Sequence, residues 1–275
     1  MKINIAIAPV LIISILSSCT APRLAIPAKF TEQATAMEVK GWNSYKRVQF
    51  GNYKTTKVKR GFLLSTKRTS KRVPVQTEDR VTRIFGVKSN NVTERQKDRF
   101  RYTINDGNRV AEVLASEGNI QDFLEVKTGN RWLGDFNFSK NNQYSFSAVI
   151  IPVSHTDTAA WQLVVYNGEH PPVDPFGRKS TFRFPLELGY ATNGTDTVTI
   201  KQIRVTKSMT PKGKEAIIPF EVPGGYELRM DDGVVALINS WNHEVWMYND
   251  LDEPTKLVLS AIASSLMLRK IKSIK

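Results

Sequence analysis

The chain has 275 residues, 41% of them apolar and 24% charged, with a formal net charge of +13 and a single cysteine, Cys19. This composition provides ample core material and excludes a disordered chain, an internal disulfide framework and any cysteine-rich zinc site. Between Lys40 and Arg109 there are 19 Lys and Arg against 5 Asp and Glu, so that stretch carries net +14 and the rest about −1. Any electrostatic function belongs to this first third.

Met1-Lys2 precedes an apolar run from Ile3 to Leu16. A charged start and a short hydrophobic region read as a secretory signal over residues 1–18, and the run is too short for a membrane-spanning helix. Its end, Leu16-Ser17-Ser18-Cys19, resembles the lipobox of bacterial lipoproteins. The resemblance implies cleavage before Cys19 and acyl chains on that cysteine. At roughly 0.8 kcal/mol per buried methylene, two or more chains make a stable anchor. In the lipoprotein sorting pattern an Asp after the cysteine retains the protein in the inner membrane; the residue here is Thr20, which implies the outer membrane. No acidic cluster follows, which implies the periplasmic face. Residues 19–38, with Pro22, Pro27 and the Ala-rich stretch Thr31 to Ala36, read as the lipidated N-terminus and a tether with one helical turn, reaching at most roughly 60 Å.

Residues 39–275 read as one β-rich domain. Phe100, Tyr102 and Ile104 alternate with Arg99, Arg101 and Thr103, the period-2 pattern of a half-buried strand, and Asn105-Asp106-Gly107-Asn108 turns the chain. Tyr144, Phe146, Ala148 and Ile150 repeat the pattern after Lys140-Asn141-Asn142. Further strands are expected at Trp42 to Phe50, Thr55 to Leu64, Val81 to Val87, Arg109 to Leu114, Phe123 to Lys127, Trp132 to Phe138, Trp161 to Tyr166, Thr181 to Leu188 and Thr197 to Val205. Turn signals stand at Glu117-Gly118-Asn119, Thr128-Gly129-Asn130 and Thr192-Asn193-Gly194. Tyr226 to Met230, Asp231-Asp232-Gly233 and Val234 to Ile238 form a hairpin, followed by a strand from Glu244 to Tyr248.

Asp252, with Pro254 after it, starts a terminal helix over about 254–272. Its apolar residues cover nearly the whole circumference, interrupted only by Ser260, Ser264 and Ser265, as expected of a helix surrounded by protein. The fold class is all-β with one C-terminal helix. The last strands and this helix look similar to those of the tubby and phospholipid-scramblase-like families. That resemblance implies an antiparallel β-barrel enclosing a hydrophobic helix and carries over no ligand site. The alternatives are a β-sandwich, or two β subdomains split near Asn167 to Lys179, capped by the helix.

No HExxH, GxSxG or Walker sequence is present, and in Ser154-His155-Thr156-Asp157 the adjacent Ser154 and His155 point apart on extended chain, so Ser154, His155 and Asp157 do not form a triad there. His170, with Glu169 and Asp174 in the Asn167 to Lys179 loop, fits no metal spacing, so no metal and no cofactor are implied. Trp241, His243, Trp246 and Tyr248 read either as an aromatic ligand platform or as ordinary packing. Lys54, Lys57, Lys59, Arg60, Lys67, Arg68, Lys71 and Arg72 form the densest basic run. It reads as an anion-binding face for lipid phosphates, lipopolysaccharide, acidic glycans or an acidic partner in an envelope complex, or else as a solvated face discouraging strand pairing. The lipobox address makes nucleic acid an unsuitable partner. The resulting expectation is a non-enzymatic, membrane-anchored binding or assembly module. The alternative is an enzyme acting on envelope polymer through carboxylates such as Asp231, Asp232 or Glu244.

Overall fold

The computed structural model describes Leu24 and residues 26–42, 44–71, 88–127, 136–153, 159–168, 186–209, 215–231 and 233–271. Its strands are β1 (Ala34–Glu38), β2 (Gln49–Phe50), β3 (Tyr53–Thr55), β4 (Lys59–Arg60), β5 (Leu64–Lys71), β6 (Lys88–Asn105), β7 (Val110–Lys127), β8 (Phe136–Val153), β9 (Trp161–Gly168), β10 (Leu186–Thr192), β11 (Thr197–Met209), β12 (Glu215–Met230), β13 (Gly233–Asn239) and β14 (Glu244–Tyr248). All fourteen belong to one antiparallel sheet in the order β1-β14-β13-β12-β11-β10-β9-β8-β7-β6-β3-β2, with β4 and β5 also paired to β6. An antiparallel bridge between Lys40 and Gln49, with N···O distances of 2.8 and 3.0 Å, ties the two ends of this path together. The sheet is a nearly closed twelve-stranded barrel with a short helical turn, α1 (Ala28–Thr31), ahead of it and one long helix, α2 (Glu253–Met267), inside it.

Eight strands close around side chains alone, and a wider ring leaves an axial space that something must fill. Here α2 fills it. Every residue from Leu257 to Leu268 is buried, so the helix has no solvent face. Small residues let wall and helix approach: Ala111, Ala115, Ala148, Ala191 and Ala236 line the wall and Ala261 and Ala263 lie on the helix, all buried. The helix serines are satisfied internally. The Tyr102 hydroxyl lies 2.7 Å from Ser264 Oγ and 2.8 Å from Ser265 Oγ, and both serines donate to the Ala261 carbonyl. Asp252 caps the N-terminus, its Oδ1 accepting from Thr255 N at 3.1 Å.

One continuous sheet replaces the sandwich and split-domain alternatives, because β10 pairs with β9 across the supposed boundary, Leu186 opposite Gly168. Several boundaries differ from expectation. Glu117-Gly118-Asn119 and Lys140-Asn141-Asn142 do not turn the chain: both run inside 18-residue strands, β7 and β8, the first paired to β6 and β8 on its two sides, the second paired to β7 with a register shift at Lys140. Between Trp42 and Phe50 only Gln49–Phe50 is strand, and the stretch from Thr55 is broken into β3, β4 and β5. The tether gives up its last part to the fold, because Ala34–Glu38 pairs with β14 and Leu24 packs within reach of Gly224. The helix ends at Met267 rather than near 272, where the backbone of Lys270 and Ile271 turns onto Glu117. The expected strand Val81 to Val87, Cys19, Arg72, His155, His170 and Asp232 lie outside the described residues.

Candidate functional site

Two polar arrangements stand out, one inside the barrel mouth where α2 ends and one on the outer wall beside it. Inside, Arg269 donates through Nη1 to Glu187 Oε2 at 2.8 Å and to the Tyr144 hydroxyl at 3.3 Å, through Nη2 to the Tyr226 hydroxyl, and through Nε to the Leu266 carbonyl at 3.1 Å. The Tyr226 hydroxyl in turn donates to Glu187. Burial alone would push the guanidinium down, but the Glu187 carboxylate and the two tyrosines hold it well above its ordinary value, so it stays charged. Arg60 pairs with the buried Asp98 and donates to the Leu268 carbonyl, capping the helix end.

Glu117, 1% exposed, accepts from the backbone N–H of Lys270 at 2.7 Å and of Ile271 at 3.1 Å and from the Tyr144 hydroxyl at 3.4 Å. Burial raises its pKa above the ordinary 4.5 despite these donors. The folded protein therefore holds this proton more tightly than the unfolded chain. The stability that this contributes is complete below the unfolded value and is lost as pH rises through the raised folded one. Urea titrations of wild type and Glu117→Gln, from about pH 4 to neutrality, should show the variant gaining on the wild type as pH climbs. A pH-independent difference would mean that Glu117 titrates normally.

On the outside, β6 presents Arg95, Lys97, Arg99 and Arg101 at every second position, all exposed, while Gln96, Asp98 and Phe100 turn inward. At about 3.4 Å per residue the cations form a ladder with rungs roughly 7 Å apart. Lys59 extends it sideways as the partner of Arg101. The rungs face Ile120, Gly118, Ser116 and Leu114 across β7, so no carboxylate stands opposite any of them there; Glu112 and Asp122 lie one rung beyond each end. Beside the ladder runs a trough whose floor is Ser116 and Gly118 of β7 and Ser145 and Ser147 of β8. It consists of two adjoining hollows of about 640 and 540 Å³. Leu114, Val149 and Val164 line the first; Gln143 and Ile120 line the second. On the far bank Tyr166 and Tyr190 are each 44% exposed, in register with Ser145 and Val164 respectively.

The expected basic run does not act as one face. Lys54, Lys57 and Lys59 are exposed, but Arg60 turns into the barrel mouth and pairs with Asp98 instead of sharing their face. Lys67 and Arg68 are adjacent on β5 and point to opposite faces, Lys67 beside Glu94 in the ladder. The Lys71 side chain and Arg72 lie outside what is described. The aromatic cluster does not converge on a platform. His243 stacks on Trp42 at 5.0 Å, Trp241 Nε1 donates to the Pro223 carbonyl, Trp246 Nε1 donates to Glu244, and the Tyr248 hydroxyl donates to Gln33. Asp231 is exposed at the tip of the β12–β13 hairpin, and Glu244 sits in the strand with its carboxylate on Trp246.

Among the described residues no cluster of His, Cys, Asp and Glu is arranged to hold a metal ion, and no helix is long and apolar enough to cross a membrane. Compared with known proteins, the chain matches no family model, no curated protein and no solved structure.

Proposed function

We propose that the chain is a lipid-anchored lipoprotein of the bacterial envelope, held through Cys19 on the periplasmic side of the outer membrane, whose barrel is a non-enzymatic binding or assembly module for an anionic envelope component. The observation that carries this reading is the ladder Arg95, Lys97, Arg99, Arg101 with Lys59, five exposed cations sharing one wall. Like charges this close repel one another, and a ligand bearing phosphates or carboxylates relieves that repulsion. A barrel threaded by its C-terminal helix also suits the fold-level resemblance to the tubby and scramblase-like families, which is where that resemblance stops. Among the described residues the buried carboxylates are each engaged: Asp98 with Arg60, Asp106 with the backbone N–H groups of Asn108 and Arg109, Glu187 with Arg269 and Tyr226, and Glu117 with the backbone after α2. This favours binding over the alternative of an enzyme working on envelope polymer.

Mature protein should co-sediment with phosphatidylglycerol vesicles at low ionic strength and not with phosphatidylcholine vesicles. Reversing Lys59, Arg99 and Arg101 to Glu should weaken that binding by on the order of 100-fold or more, since each cation near an anionic surface contributes about 1 kcal/mol. Cys19→Ala, tested in the same cells, should lose acyl labelling and stay unprocessed. Wild-type protein that ignores anionic vesicles, phosphorylated glycans and acidic proteins alike at low salt would remove the reading, because screening is weakest there.

A further inference from the structure

We infer that the trough beside the β6 ladder is a binding site for an anionic glycan lying lengthwise along the strands, with its charged substituents on the cations and its sugar rings on the serine floor. The inference rests on the anion-binding reading above and narrows it to a ligand class. Along β6 the ladder runs six residue steps from Arg95 to Arg101, roughly 20 Å, so it suits an elongated ligand with repeated charges better than a single headgroup. The floor consists of Ser116, Gly118, Ser145 and Ser147, which leave room for a ring to approach the sheet and offer hydroxyls to a hydroxyl-rich ligand. On the far bank the exposed rings of Tyr166 and Tyr190 are of the kind that sugar faces stack on. An acyl chain fits less well: the trough lies on the outer wall, so a chain in it would stay wet on one side while covering serine hydroxyls.

Gly118 supplies a test that leaves every charge in place. A Cβ built there meets nothing closer than 3.8 Å, and no left-handed backbone is required, so a β-branched residue fits the strand and fills the trough. Gly118→Val should keep the melting temperature of the wild type yet bind a dextran sulfate oligosaccharide at least about tenfold more weakly, as expected when a central contact surface is obstructed. Arg99→Gln with Arg101→Gln should also weaken binding and, unlike Gly118→Val, reduce its salt dependence. Ser147→Val, on the same floor, serves if Gly118→Val does not fold. The inference is overturned if floor-filling variants bind the oligosaccharide like wild type, or if wild type takes phosphatidylglycerol vesicles but no sulfated or phosphorylated oligosaccharide. The latter result would leave the broader anion-binding reading standing, whereas failure to bind either probe would end the inference and, with acidic proteins ignored as well, the broader reading too.

Discussion

Leu259→Asp and Ile262→Asp are each expected to leave no folded barrel. Both side chains are 0% exposed, and the helix that carries them has wall on every side. An aspartate there must either stay charged without a partner or take up a proton and still leave its oxygens without donors; the cations of the mouth, Arg60 and Arg269, are already engaged beyond the last turn. Losing the apolar contacts adds to that cost, and together they exceed about 4 kcal/mol, a large share of the 5–15 kcal/mol that holds a typical domain together. Circular dichroism and urea melts of the two variants should show no cooperative transition. Lys256→Ala, at the helix start where the side chain is half-buried and pairs with the exposed Glu253, should shift stability by no more than about 1 kcal/mol. A cooperative Leu259→Asp transition near the wild-type midpoint would contradict a helix-filled barrel.

Arg269→Met should cost roughly 3–5 kcal/mol, the range for removing one member of a buried ion pair. The side chains of Arg269 and Glu187 are 10% and 5% exposed, so the change takes the guanidinium from a buried carboxylate that keeps Tyr226 as a donor, and frees the Leu266 carbonyl. Adding Glu187→Gln to Arg269→Met should recover part of the loss, since the buried negative charge is then gone. The comparison pair, Arg229 with Glu227 at 3.5 Å, is 38% and 31% exposed, and Arg229→Met should cost no more than about 1 kcal/mol. Equal losses at the two arginines would mean that the mouth is wet.

The helix and the late hairpin are legible because their signals are local. Asp252, Pro254 and an apolar circumference from Leu257 specify α2, and Asp231-Asp232-Gly233 supplies the turn before the apolar run Val234 to Ile238. The long strands are not legible in the same way. Gly118-Asn119 and Asn141-Asn142 are turn formers by their own preference, and what keeps them extended is pairing with distant strands, β6 and β8 for the first and β7 for the second, which no local window contains. Charge is less legible for a related reason. Density along the chain points to Lys54 through Arg72, whereas a charged face on a sheet follows alternation, as at Arg95-Gln96-Lys97-Asp98-Arg99-Phe100-Arg101 with a cation on every second residue. That pattern was available from the sequence. The fate of Arg60 was not, because its partner Asp98 lies 38 residues further on and reaches it only through the pairing of β4 with β6.

The order of synthesis runs against the architecture of this barrel. Its first strand pairs with its last, the Thr35 hydroxyl reaching Asn249 across 214 residues, and the segment that fills its centre is translated after every strand. A chain emerging N-terminus first can form hairpins such as β6–β7, but it has nothing to wrap them around until residue 267 is free. Contacts of such long sequence separation make folding slow, and until they form, the inner face from Phe100 to Met247 stays accessible to other chains. The barrel is therefore a post-translational product of the complete chain, dependent on whatever keeps unfinished copies apart, and a ribosome that stops short of the last helix releases an aggregation-prone sheet with no inside.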